Sequence, residues 1–230
     1  MPRPPGQPSG TRTILHFTHI ENLPAILAAG RLFADSMVGT RLATNVGAPD
    51  IKASRRRRAV PCPPGGAVAD YVPFYFAPRS PMMFRIAREH QDGTQGCYPD
   101  GDDPLVYLVS SLERVHHAQL SWVASDGNCA ATLTRFSGSL DDLAELVDWA
   151  LMRERIWRNL PEDPDRVRRR MAELLIHREF PLDLLAGYVV RTPARQEHLR
   201  QVLRDAGIID AYVDVRPDWY YGFRRGEARE

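Results

Sequence analysis

The chain reads as an α+β fold, and three observations lead there. Strand-length runs of alternating or continuous apolar residues are dispersed among short amphipathic stretches, with no regular βαβ alternation. No G-x-G-x-x-G or G-x-x-x-x-G-K pattern opens a helix, which argues against Rossmann and P-loop architectures. No apolar run approaches the ~18 residues of a membrane helix, so the 43% hydrophobic content of these 230 residues must build a core. The boundaries that follow are a flexible tail over residues 1–11 and one domain over residues 12–230.

The first ten residues hold four Pro and two Gly and support no regular element. Thr13 to Thr18 alternates apolar and polar side chains as a strand does, and Glu21 to Ala29 places Leu23, Ile26 and Leu27 on one helical face, stopped by Gly30. From Ala34 to Ala69 no period holds, so this is a long loop carrying the run Lys52 to Arg58 and the turn segment VPCPPGG. Tyr71 to Phe76 is a strand whose Pro73 suggests a sheet edge or an irregular start. Pro78 and Pro81 bracket a turn into a helix from Met82 to Arg88, and Gln91 to Asp103 is a loop. Leu105 to Val109 is a buried strand, and Ser121 to Ala124 a further one, closed by the turn chemistry of Ser125, Asp126, Gly127 and Asn128.

Leu140 to Trp157 has Leu143, Leu146, Val147, Ala150 and Leu151 at helical spacing, which predicts one helix ended by Pro161 to Pro164. Asp165 to Phe180 fits either a helix through Val167 and Met171 or a strand at Glu173 to His177. Gly187 to Arg191 is a strand, Pro193 to Ala206 a helix begun by Thr192 and Pro193, and Tyr212 to Val215 a last strand.

The 30 basic and 29 acidic residues leave a formal charge of +1, so no global field advertises nucleic acid or a membrane. Any such partner is read by a local patch. The three cysteines, Cys62, Cys97 and Cys129, are odd in number and widely spaced, which predicts free thiols and neither a disulfide framework nor a structural metal. The start MPRPPGQPSG lacks the apolar core of a signal peptide, so a soluble, cytoplasmic protein is expected. All basic residues but Lys52 are Arg, which coding bias explains as readily as bidentate phosphate recognition.

Chemistry concentrates in three places. The opening strand carries His16 and Thr18, with His19 beyond it and Asn22 at the first helical turn, polar groups able to bond an amide or a ribose. Lys52 with Arg55 to Arg58, and Arg166 with Arg168 to Arg170, form two basic patches suited either to a solvated surface or to phosphate. Glu173 is the one acid in the apolar segment MAELLIH, either a helix surface residue or an acid/base group on a strand.

Five segments in order, LHFTHIENLPAILAAG, VPCPPGGAVADYVPFYFAPRSPMMFRI, SWVASDGN, RRMAELLIH and VDVRPDWYY, resemble the DarT family of DNA-modifying ADP-ribosyltransferase toxins from DarT/DarG toxin and antitoxin systems. The resemblance implies an ADP-ribosyltransferase fold, with a split central β-sheet whose cleft holds NAD as co-substrate. It makes Glu173 the catalytic residue at the head of a strand, because Ala172, Glu173, Leu174, Leu175 and Ile176 fit the family's pattern. It implies a catalytic arginine in the loop, Arg55, with Arg56 the rival. His16 and Thr18, with Asn22 and Tyr75, become the NAD contacts, and Arg56, Arg57, Arg58, Asn128 and Arg170 the DNA contacts. No metal is implied.

On this reading the chain transfers ADP-ribose to a base of single-stranded DNA, thymine first and guanine as the alternative, with a DarG-like antitoxin as a further partner. The same fold acting on RNA or protein, and a non-enzymatic nucleic-acid binder using the two arginine patches, are the competing readings. The segment from Asp126 to Arg170, which should present the acceptor, is the part the resemblance covers least.

Overall fold

The computed structural model describes residues 11–39, 44, 49–94 and 100–226. Residues 1–10 of the expected tail and Cys97 lie outside the described residues.

The chain opens with β1 (Thr13–His19), a 3-10 turn and α1 (Leu23–Ala29), which stops at Gly30 in the left-handed conformation, φ 65°. β2 (Arg31–Phe33), α2 (Asp35–Val38), α3 (Pro49–Arg57), β3 (Tyr71–Tyr75) and α4 (Pro81–Asp92) follow. The middle of the chain gives β4 (Leu105–Ser111), α5 (Leu112–His117), β5 (Trp122–Ser125), β6 (Phe136–Ser137), α6 (Leu143–Leu146), α7 (Trp149–Arg153) and α8 (Arg166–Arg170). The last part is β7 (Glu173–His177), β8 (Glu179–Pro181), β9 (Gly187–Val190), α9 (Pro193–Asp205) and β10 (Val213–Val215).

Eight strands form one mixed sheet in the order β10-β9-β4-β1-β3-β7-β5-β6, and β2 pairs β8 separately. One face carries a single apolar cluster, in which Ile14, Phe74, Val106, Leu108, Leu174 and Ile176 meet Leu23 and Ile26 of α1, Leu143 of α6 and Leu199 of α9. The other face carries two clusters. One is built on Leu15, Tyr107 and Val109 with Met83, Trp219 and Tyr220, the other on Tyr71, Val123 and Leu175 with Val60, Val68 and Cys129.

The gap between those two clusters marks a split in the sheet. β1 pairs β4 along its whole length but meets β3 at one register position, Leu15 opposite Tyr75. Pro73 helps hold the strands apart. Its carbonyl faces β1, where His16 Nδ1 bonds it at 2.8 Å, and the N–H and C=O of one strand residue point to the same side, so the donor that proline lacks is one that would have reached β1. Pro73 therefore sits inside the sheet and not at an edge, because it lies on the side of β3 where pairing ends.

Three expectations change. The arginine run is helical, not loop: Lys52 and Arg56, four residues apart on α3, both reach the Asp35 carboxylate, at 2.6 and 3.1 Å. Asp50 in the first turn and Arg55 to Arg57 in the last suit the helix dipole, and Lys, Ala and Arg favour helix without needing an apolar stripe.

The long helix expected over 140–157 is two short ones. The chain turns extended at Val147, Asp148 caps α7 by accepting from Leu151 N–H at 2.9 Å, and Trp149 Nε1 donates at 2.9 Å to the Leu143 carbonyl. The ambiguous segment over 165–180 holds both alternatives, the helix α8 and then the strand β7. Among the described residues no helix is long and apolar enough to cross a membrane.

Candidate active site

A cavity of about 320 Å³ lies at the split, within the size range of small-molecule sites. β1 contributes His16, Phe17 and Thr18, β3 contributes Tyr71, Pro73 and Tyr75, and Glu173 stands at the head of β7. α1 and β2 form an apolar wall with Ala25, Ile26 and Leu32, while α3 and the turn after β5 close it with Arg55 and Asn128.

Glu173 is placed by the sheet. It stands opposite Tyr75 in the β3/β7 pair, and its side chain is 2% exposed. Arg55 Nη1 donates to Oε1 at 3.1 Å and Oε2 at 2.9 Å. Burial is the largest single influence and opposes the charge on the guanidinium, but Glu173 with Cys129 and Tyr75 together outweigh it, and the Arg55 pKa ends above its ordinary value. Arg55 Nη2 is buried with no protein partner among the described residues, a donor left over beside the cavity. Such a donor suits an anionic or carbonyl oxygen of a ligand.

His16 is held in one tautomer. A carbonyl only accepts, so Nδ1 donates to Pro73 O, and burial lowers the pKa of the ring. The ring is thus neutral at pH 7, with Nε2 as an acceptor. Asn22 Nδ2 donates to Thr18 Oγ1 at 3.0 Å and to the Thr44 carbonyl at 2.7 Å, and its Oδ1 accepts from Thr44 N–H at 2.7 Å. Asn22 is thus a brace that orients Thr18, and it is not among the cavity-lining residues. Tyr75 stacks on Phe17 with ring centroids 6.0 Å apart, and burial, helped by the Glu173 charge, raises its pKa so that the hydroxyl stays protonated.

The expected DNA contacts separate. Arg56 is 61% exposed and bonds Asp35, and Arg57 is exposed. Arg58 donates to Thr132 O at 3.2 Å and lies over the Phe136 ring. Asn128 lines the cavity, with its Oδ1 accepting from Ala130 N–H. Arg170 departs from its expected role. It is 3% exposed and donates to the carbonyls of Leu151 and Pro78, both at 2.7 Å, and burial lowers its pKa to about 10. A guanidinium so enclosed ties α8 to α7 and to the segment before α4, and is not available to a phosphate.

Ser125 and Cys129 escaped the reading of the sequence. They flank a turn recognised only as a turn, and the structure brings both against Glu173. Asp35, which holds α3 so that Arg55 faces inward, was also missed. Its signal was the i, i+4 spacing of Lys52 and Arg56. Cys62 and Cys129 are free, and among the described residues no group of His, Cys, Asp or Glu is arranged to hold a metal ion.

A split sheet with a buried glutamate at a strand head, bonded to an arginine from the facing wall, is the frame of an ADP-ribosyltransferase. The family model described as DarT, ssDNA thymidine ADP-ribosyltransferase, matches residues 15–221, and the chain belongs to that family. It is 38% identical to a DNA ADP-ribosyl transferase of Mycobacterium tuberculosis over 90% of this chain and 88% of that protein. The fold matches Thermus sp. 2.9 DarT solved with ADP-ribosylated ssDNA, with a TM-score of 0.83 and 34% identity over 91% of this chain and 96% of that one. It also matches Thermus sp. 2.9 DarT in complex with NAD+, with a TM-score of 0.76 and 34% identity over 94% and 100%.

Proposed function

We propose that this chain transfers ADP-ribose from NAD to a thymine of single-stranded DNA, as the toxin of a toxin and antitoxin pair. The observation that carries the reading is the buried Glu173 bonded to Arg55 on a cavity also lined by His16, Thr18 and Tyr75. Residues 12–230 act as one catalytic domain working in the cytoplasm, and a DarG-like ADP-ribosyl glycohydrolase is the partner that reverses the modification.

NAD supplies a ribose whose bond to nicotinamide breaks with positive charge developing at the anomeric carbon. Glu173 is placed to stabilise that charge, and its burial strengthens the interaction. The same carboxylate takes the proton from the thymine ring nitrogen as that nitrogen bonds the ribose, so nicotinamide leaves and the proton stays on the protein. Arg55 presents Nη2 to a pyrophosphate oxygen or to the base carbonyl on which charge collects. His16 Nε2 accepts a hydrogen bond from an amide or a hydroxyl, Thr18 adds a second polar contact, and Tyr75 with Phe17 offers an aromatic wall. Asn128 and the outward Arg56 to Arg58 side of the cavity are the proposed path of the DNA strand.

The test is to incubate the protein with labelled NAD and separate pools of single-stranded DNA, duplex DNA, RNA and protein. Label on single-stranded DNA alone, absent from an oligonucleotide without thymine, is the expected result. Label confined to RNA or protein, or surviving the loss of thymine, overturns the acceptor assignment.

A further inference from the structure

Two buried side chains, Ser125 and Cys129, pack against Glu173 and close a small hydrogen-bonded set around it. Ser125 Oγ accepts the Glu173 backbone N–H at 3.0 Å and donates to the Gly127 carbonyl at 2.8 Å. Cys129 Sγ lies 3.3 Å from that Oγ and 3.5 Å from Glu173 Oε2. Ser125 and Cys129 are fully buried, so no water competes for these contacts.

The turn between them is fixed from outside. A Cβ on Gly127 would stand 2.5 Å from Arg168 Nη1 and 2.7 Å from the Arg168 carbonyl, so only glycine lets the turn approach α8. Asn128 N–H donates to that carbonyl at 3.0 Å, and Arg168 Nη1 bonds Asp126 at 2.9 Å. The helix that leads into Glu173 and the turn that carries Cys129 are therefore locked together.

We propose that Cys129 is a positioning residue, whose S–H donates to Glu173 Oε2 and holds the carboxylate in its reactive orientation when substrate draws Arg55 away. This rests on Glu173 being the transferring carboxylate. Arg55 reaches both oxygens from the single atom Nη1, while its Nη2 is the donor proposed to engage substrate, so any movement of the guanidinium toward a ligand loosens its hold on Glu173, and Cys129 is a second donor at Oε2 that does not move with it. The thiol stays a donor: burial, and after it the Glu173 charge, push its pKa well up, so it keeps its proton through the neutral range. A thiol is a weak donor, suited to orienting a carboxylate without sequestering it.

The test compares Cys129→Ala, Cys129→Ser and wild type in transfer to single-stranded DNA, with kcat and the KM for NAD measured separately and thermal melting alongside. Cys129→Ala should lower kcat about three- to tenfold, the range of one ordinary hydrogen bond, at unchanged KM. Cys129→Ser, which restores a donor, should recover kcat to within about twofold of wild type, a rescue that packing alone does not predict. Cys129→Ala with wild-type kcat, or Cys129→Ser losing as much kcat as Cys129→Ala, would overturn the assignment. Should Cys129→Ser fail to fold, Cys129→Thr takes its place as the donor-bearing variant under the same criterion. Wild type transferring nothing to DNA, or Glu173→Gln retaining transfer, would instead strike the functional reading on which the proposal stands.

Discussion

Arg55 and Glu173, 118 residues apart in sequence, share two hydrogen bonds at 3.1 and 2.9 Å. The pair joins α3 to the head of β7 at the wall of the cavity. Each element arrives there for its own reason, α3 because Asp35 grips Lys52 and Arg56, and β7 because it pairs β3 on one side and β5 on the other. The ion pair follows from these placements and does not create them. One side chain can therefore be changed without dismantling the other wall.

Glu173→Gln should abolish transfer while changing NAD affinity by less than about tenfold, because the carboxylate acts on charge present only as the bond breaks. Binding by calorimetry and transfer from labelled NAD, measured on the same preparation, separate the two effects. Transfer at the wild-type rate would remove Glu173 from the chemistry. Expression of the variant should also be tolerated where wild type is toxic.

Arg55→Ala should lower kcat about a hundredfold, the scale of losing one donor aimed at developing charge. Arg56→Ala should change it less than about threefold, since Arg56 is largely exposed and forms a surface ion pair with Asp35. The reverse ranking in steady-state kinetics would give the catalytic role to Arg56.

Arg170→Ala should act on stability and leave DNA affinity alone. It strips donors from the Leu151 and Pro78 carbonyls, and leaving such groups unpaired costs about 1–3 kcal/mol each. For a chain of this size that lowers the melting temperature by roughly 5–15 °C. Arg57→Ala should instead leave melting unchanged and reduce the salt slope of single-strand binding by roughly 0.7 for one lost phosphate contact. An unchanged melting temperature with a reduced salt slope in Arg170→Ala would return that residue to the interface.

The acid side of the stability profile should carry a His16 component. Burial lowers its pKa in the folded state below the ordinary 6.5. Between the folded value and 6.5 the unfolded chain binds more protons, so stability rises with pH there and falls as pH drops. One such proton gives a slope of at most about 1.4 kcal/mol per pH unit. Burial shifts His19 in the same direction. Asp70 behaves oppositely in origin, since Ala67 N–H and the Ser36 hydroxyl hold its carboxyl down; its contribution is present above 3.8 and fades only at more acid pH. Melting curves from pH 7 to 5 should be shallower for His16→Gln than for wild type, and equal slopes would contradict a depressed His16.

How much of this was legible follows from what each element depends on. The longer sheet strands were readable because each carries an apolar or alternating pattern over its own length, and β7 needed only the choice between a helix and a strand, whereas β2, β6 and β8, two or three residues each, are too short to show a period. α3 was not, because its inward face consists of Arg55 and its neighbours, which a hydrophobic period does not register, and Asp35, its partner, is 17 residues before Lys52. The expected helix over 140–157 had the right buried residues and the wrong continuity, since one indole bond from Trp149 ends its first half. Arg170 shared its residue type and patch with Arg168 and Arg169, and only the packing of α8 separates a buried tie from surface charge. Glu173 was visible as a residue out of character with its segment, whereas Ser125 and Cys129 matter only through the β5/β7 register and the turn after β5, which bring them against it.

The acceptor preference is the last expectation, and the shape of the site argues for it. Glu173 side-chain exposure is 2%, and the carboxylate lies at the split with β1, β3 and α3 around it, so a base must leave its neighbours and enter to reach it. A thymine in a duplex has its ring N–H occupied by pairing, and extruding it costs a few kcal/mol. A dedicated wedge would offset that cost, and Trp122, Trp157 and the Met82/Met83 pair are the bulky residues considered for it. Trp122 and Met83 are buried in the core, Trp157 packs edge-on against Phe84 and bonds Tyr221, and Met82 lines the cavity itself. Trp122, Met83 and Trp157 are thus held by packing, and Met82 packs partly buried against the Leu15, Tyr107 and Trp219 cluster. Single-stranded DNA should thus be modified at least about tenfold faster than duplex of the same length and sequence, the equivalent of roughly 1.4 kcal/mol of the extrusion cost. Equal initial rates on the two substrates at matched salt would mean that the protein flips bases by a device other than these residues, or that the reacting atom is not one that pairing covers.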